Sequence, residues 1–226
     1  MKPTAVPPAE LLVGSAEAAF IADLDPKDLH RVVDESVLPS DLFSRTNDAR
    51  LFARLSAAIA RFYFDASGDL SKACRLRVIE AVMERLRPRE NLSSILALAG
   101  PLSSIDWAIH AGALTVDLRD FVFHAAERAN RARSAVNLVV EDPEILGGVP
   151  VFRGTRVPID VAINTGTSGA AWTRLKESYP FLSEDHVDAA NVYAVIRPRR
   201  GRPTKPDPAA KGWKLTSTRR NPAPRP

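Results

Sequence analysis

The chain has a single cysteine, Cys74, so no disulfide can close within it, and a cytoplasmic, reducing location is expected. No apolar run approaches the roughly 18 residues that a membrane span needs, so no membrane partner is expected. A secretory leader is not expected either, because Glu10 and Glu17 interrupt the early apolar stretch. The histidines, His30, His110, His124 and His186, lie far apart and share no metal-ligand spacing. The sequence holds no phosphate-cradling Walker loop, no GxSxG elbow and no CxxC pair. Enzyme activity, a metal and a cofactor are therefore not expected.

Acidic residues are scarce at one end. From Arg197 to Pro226 there are ten Lys or Arg against one acid, Asp207, a net charge of +9. The rest of the chain has 21 against 26, a net of −5. Seven of the eighteen prolines also fall in that end, and apolar residues nearly vanish. Such a segment cannot bury enough surface to offset its ordering entropy, so 197–226 is expected to be a disordered basic arm. Charge loaded onto one end points to a polyanion or an acidic protein surface as partner. Residues 1–9, rich in Pro and Ala, are expected to be disordered as well.

Hydrophobic residues make up 45% of the whole chain, which suits one or two packed domains. Helical periodicity runs from Leu11 to about Leu86. Ser15 is placed to cap a short helix with Ala18, Ala19 and Ile21 inward, and Pro26 suits the first turn of a second helix with Leu29, Val32 and Val33 inward. Longer helices are expected over 51–64 and 70–86, a hairpin around His110–Gly112, and a helix from Asp117 to Arg133. A domain junction is expected at Arg128–Ser134. Strands are expected at Val136–Val140 and Val149–Phe152. Three short helices follow: one opening at Pro158, one over 170–178, and one capped by Ser183 and reaching Ile196.

The densest local signal is Glu141–Pro158, EDPEILGGVPVFRGTRVP. Gly147, Gly148 and Gly154 permit positive φ, while Pro143, Pro150 and Pro158 fix φ and remove donors. The run Gly148-Val-Pro150 followed by Arg153-Gly154-Thr155-Arg156-Val-Pro158 resembles domain-of-unknown-function family 433, found in VapB-like antitoxins of bacterial toxin–antitoxin pairs. The resemblance covers residues 136–196, where Tyr179-Pro180 and the helix at Asp185 also fit. It implies a compact trihelical, homeodomain-like unit. Between Ser15 and Phe64 the order of elements resembles a MerR-type winged helix-turn-helix, without the glycine and tyrosine usual in that wing. The expected fold is mainly α: a winged helix-turn-helix domain within 10–135, a small trihelical domain with short strands at 136–196, and the disordered basic arm.

These elements assign candidate residues. A second helix entering the major groove would present Lys27, His30 and Arg31, with Arg45 and Arg50 reaching phosphates from the wing. The alternative is that both helices are plain parts of an all-helical core. Arg199-Arg200-Gly201-Arg202-Pro203 resembles an AT-hook core, whose glycine lets Arg-Gly-Arg lie in a narrow minor groove, or is a solvated linker. Trp213 with Lys214, and Arg219 with Arg220, pair an aromatic anchor with cations. The antitoxin resemblance implies that such a C-terminal segment inhibits a PIN-type (VapC-like) ribonuclease by placing cations among its Mg²⁺-binding carboxylates. Arg153 and Arg156 are expected to satisfy turn or helix-end carbonyls, and Trp172 to be core or a partner contact. The last helix carries acids and no Lys or Arg, so it is a poor reader of DNA. The expected function is an antitoxin and repressor of its own operon, acting as a homodimer on operator DNA and a cognate toxin. The alternative is a stand-alone regulator or nucleoid-type DNA binder.

Overall fold

The computed structural model describes residues 11–46 and 49–198. It is mainly helical with a few short strands. Strand β1 (Leu12–Gly14) passes directly into α1 (Ser15–Ala22). This strand replaces the helical start expected at Leu11, because Leu12 pairs with Ala53 and Gly14 with Leu51 in an antiparallel ladder. Gly14, extended at φ −71°, takes the cap position, and Ser15 is the first helical residue rather than the cap.

Asp23, in the left-handed region, ends α1. Helix α2 (Pro26–Asp34) follows, with the Asp25 carboxylate accepting the Lys27 amide at 2.8 Å. Its stripe of Leu29, Val32 and Val33 is buried as the periodicity requires. Strands β2 (Phe43–Arg45) and β3 (Arg50–Ala53) then form a hairpin, and the sheet order is β1-β3-β2. Because β3 is paired on both edges, residues 51–53 are strand, and α3 (Leu55–Asp65) starts later than expected.

Helix α4 (Lys72–Leu86) is capped by the Ser71 hydroxyl, which accepts the Cys74 amide at 3.2 Å. Helix α5 (Leu92–Leu96) leads to the hairpin β4 (Ala108–Ala111) and β5 (Leu114–Asp117), which turns at Gly112 with φ +68°. Trp107 is buried beside it, its indole N–H donating to the Leu102 carbonyl at 2.9 Å.

Helix α6 (Arg119–Leu138) outruns its expected end at Arg133 and shortens the expected strand to β6 (Val139–Val140). The buried stripe Ala125, Ala129, Ala132 and Ala135 explains the extension: alanine has the best helix propensity and lets neighbouring helices approach closely. The expected junction at 128–134 lies inside this unbroken helix. The larger hydrophobic core takes α6 residues as far as Ala129, and the smaller core begins at Ala132.

The smaller core joins β7 (Val151–Phe152), paired with β6, to α7 (Gly169–Ser178) and α8 (Glu184–Ile196). Two α-helices are present here, not three. The helix expected at Pro158 is a single 3-10 turn, Ile159–Val161, and Asn164 at φ +60° ends any continuation. Helix α8 packs on both α6 and α1, which ties the two cores together. Among the described residues no helix is long and apolar enough to cross a membrane.

Candidate nucleic-acid interface

The candidate reading surface comprises α2 and the β2–β3 hairpin. Pro26 and Asp25 start α2, and its buried stripe turns the polar residues outward. Lys27 is exposed at the first turn. His30 is half-buried beneath Arg50, whose guanidinium donates to the His30 carbonyl at 3.2 Å. Arg50 also binds Asp34 at 2.8 Å, and Arg45 reaches the same carboxylate at 3.4 Å. His30, Arg45 and Arg50 are therefore gathered around Asp34, near the end of α2.

Arg31 belongs to a different cluster. It pairs with Glu35 at 2.9 Å and lies over the Phe64 ring at 5.0 Å from its centroid. Lys72 reaches the other Glu35 oxygen at 3.0 Å. The Arg50 hydrogen bond is the main cause holding the Asp34 pKa below the ordinary carboxylate range, and the Lys72 bond, then the Arg31 bond, does the same for Glu35. In the free protein the hairpin arginines thus fasten the hairpin to α2, and the exposed charges of this surface are largely matched.

The glycine segment is structural in this arrangement. Gly147, Gly148 and Gly154 have φ of 66°, 85° and 75°. Arg153 caps the end of α6: its Nε donates to the Asn137 carbonyl at 2.6 Å, and a terminal nitrogen lies 3.4 Å from the Val139 carbonyl. Thr155 bonds the Phe152 carbonyl through its hydroxyl at 2.8 Å, closing the turn. Pro150 is buried, and Pro158 bridges to Val151. Arg156 is exposed and forms no side-chain bond among the described residues. Trp172 is half-buried against the smaller core, with the Lys176 ammonium 5.7 Å from its ring centroid.

Arg199, Arg200, Gly201, Arg202, Trp213, Lys214, Arg219 and Arg220 lie outside the described residues. The last residues described, Arg197 and Pro198, line the same cleft as His30 and Arg50. Among the described residues no group of three or more His, Cys, Asp or Glu could hold a metal ion.

Sequence reasoning missed the long-range pairs that hold the larger body together and link it to the smaller core. Buried Glu17 accepts two bonds from Arg54, at 2.8 and 3.2 Å, and lies 3.7 Å from Arg197. Arg128 donates to the Phe20 carbonyl at 2.6 Å and pairs with Asp23. Arg131 binds Asp188 of α8 at 2.5 Å. The Arg31–Glu35 pair had a signal, an i,i+4 spacing on one helix. The others had none, since their partners stand far apart in the chain.

The family model described as protein of unknown function (DUF433) matches residues 139–194. The uncharacterized protein y4eO of Sinorhizobium fredii (strain NBRC 101917 / NGR234) is 36% identical over 198 residues, spanning 86% of this chain and 85% of that protein. The chain belongs to the y4eO family and carries a DUF433 unit. The match to y4eO extends well beyond the DUF433 unit, so the likeness includes most of the α1–α6 body. No solved structure matches the chain. The DUF433 unit coincides with β6 through most of α8, and α6 supplies the wall against which it packs.

Proposed function

We propose that the protein is a DNA-binding antitoxin of the VapB-like class that represses its own operon and neutralises a PIN-type ribonuclease. On this reading α1 and α2 form a MerR-like helix-turn-helix, the β2–β3 hairpin is its wing, and α2 lies in the major groove. One observation carries the DNA half of the proposal: the chain enters its basic C-terminal segment from the cleft that His30 and Arg50 line. On this reading the Arg199–Arg202 run, which follows Pro198 in the chain, engages the same duplex as α2. The toxin half rests on the likeness of the DUF433 unit to antitoxins and on the charge of the C-terminal segment, with Trp213, Lys214, Arg219 and Arg220 as the contacts. The expected assembly is a homodimer on paired half-sites.

Phosphate contacts release counterions, so log affinity for a promoter duplex should fall with log salt by about 0.9 per contact, near −4.5 if five C-terminal cations take part. Fluorescence anisotropy with the protein's own promoter tests this, and absence of binding even at low salt overturns the DNA half. Co-expression with the neighbouring reading frame tests the toxin half. If deleting residues 205–226 leaves neutralisation intact, these contacts are wrong. If no neighbouring product is toxic, the protein is a stand-alone regulator.

A further inference from the structure

A cleft of about 960 Å³ opens where β1 meets α1, between the hairpin and the glycine loop of the DUF433 unit. Its size falls in the range of small-molecule sites, about 300–1,000 Å³, and its position at the junction of two cores is a common setting for one. Apolar surface comes from both sides: Leu51 on β3, and Val149, Pro150 and Ile196 on the DUF433 unit. Pro150 and Ile196 are buried, so these walls are held by the smaller core.

The charges around the cleft are unequally engaged. Arg50 is committed to Asp34 and to the His30 carbonyl. Glu141 accepts the Tyr193 hydroxyl at 3.1 Å. Glu17, 2% exposed, takes both its short bonds from Arg54. Arg197 forms an ion pair with the second Glu17 oxygen at 3.7 Å, too long for a hydrogen bond, and its guanidinium donates no hydrogen bond among the described residues, so it can still donate to a further anion. It is 49% exposed, with its fork of donors still to spend.

We propose that this cleft binds a small organic anion, with its apolar body against Leu51 and Val149 and its carboxylate or phosphate on the Arg197 guanidinium. A planar anionic group matches that fork in bidentate geometry. The ligand bridges the hairpin to the DUF433 unit at the root of the basic segment. The site stands on the cleft and its side chains, independently of any DNA or toxin.

The test is calorimetric titration of the full-length protein with salicylate and with phenyl phosphate. At least one is expected to bind saturably with Kd near or below about 1 mM. Gly14→Trp puts an indole at the cleft, at a position with ordinary extended dihedrals where a Cβ meets nothing within 4 Å. This variant should keep its melting temperature and bind the probe at least about tenfold more weakly. Arg197→Gln provides a second arm, weakening the anion at least about tenfold while leaving benzyl alcohol unchanged. Absence of binding by both anions overturns the proposal, as does equal affinity in wild type and Arg197→Gln. DNA titrations are a separate measurement, so failure here leaves the proposed function standing.

Discussion

The two cores are held in different ways. The larger one, from β1 to the first turns of α6, encloses Ile21, Leu29, Phe52, Phe62 and Trp107 and is built mostly from its own helices. The smaller one has Phe152 and Leu182 at its centre, and one of its walls, Ala132 and Ala135, belongs to a helix that starts in the other core. Small units bury a smaller fraction of their surface, so they need outside support. Here α6 supplies a face, Arg153 ties the glycine turn to the end of α6, and Arg131 grips Asp188. The DUF433 unit therefore depends on the body, whereas the body depends much less on it.

The largest test of this asymmetry is Phe152→Ala. It should cost about 3–5 kcal/mol and open the smaller core first. Limited proteolysis should then cut within 139–196 while near-ultraviolet signals from Trp107 persist. Simultaneous loss of both would break the comparison. The converse is Leu29→Ala, a cost of about 2–5 kcal/mol in the larger core, which should lower the stability of both units and abolish duplex binding. Thermal melts with anisotropy at low temperature separate the two effects.

Arg153→Ala removes the helix-end bonds and should cost about 1–2 kcal/mol, with hydrogen exchange rising at 136–140 and 151–153 but not in α1–α3. Asp34→Asn acts on the surface rather than on either core. It releases Arg45 and Arg50, so affinity for duplex DNA should rise several-fold and the salt slope should steepen by about one to two. Unchanged affinity would remove the hairpin arginines from the interface.

The smallest effect is with pH. Asp34 and Glu35 have folded pKa values lowered by their cationic partners, so their contribution is complete above the ordinary carboxylate value, about 4. It is lost as pH falls through the lowered values. Acid titration followed at the hairpin should show the larger body loosening in that window, and Asp34→Asn should blunt the change.

Much of the local structure was legible from periodicity and punctuation. The stripe of α2, the presence of a long helix at α4, the Pro26 start, the Gly112 turn and the positive φ values at Gly147, Gly148 and Gly154 all follow from backbone sterics and amphipathic spacing. Most of the misreadings come from partners that lie far away in the chain. Leu12–Gly14 and Arg50–Ala53 are strands because each has a partner that local propensity does not register. Helix α6 outruns its expected end at Arg133 because its alanine stripe serves two cores in succession. The helix expected at Pro158 is one turn because Asn164 leaves the helical region. At the candidate interface, the cations on α2 and the hairpin were visible in the sequence. Their engagement by Asp34 and Glu35 was only half visible, through the Arg31–Glu35 spacing.

By itself the sequence determined the short-range conformations: that Pro26 starts a helix, where glycine permits a left-handed turn, and which end carries the positive charge. These depend on neighbours within a few residues. Only the tertiary structure decided that α6 spans both cores, that the helix end closed by Arg153 is that of α6, and that Arg50 and Arg197 line one cleft. Those relations join residues far apart in the chain, and only packing of the apolar faces brings them within reach of one another.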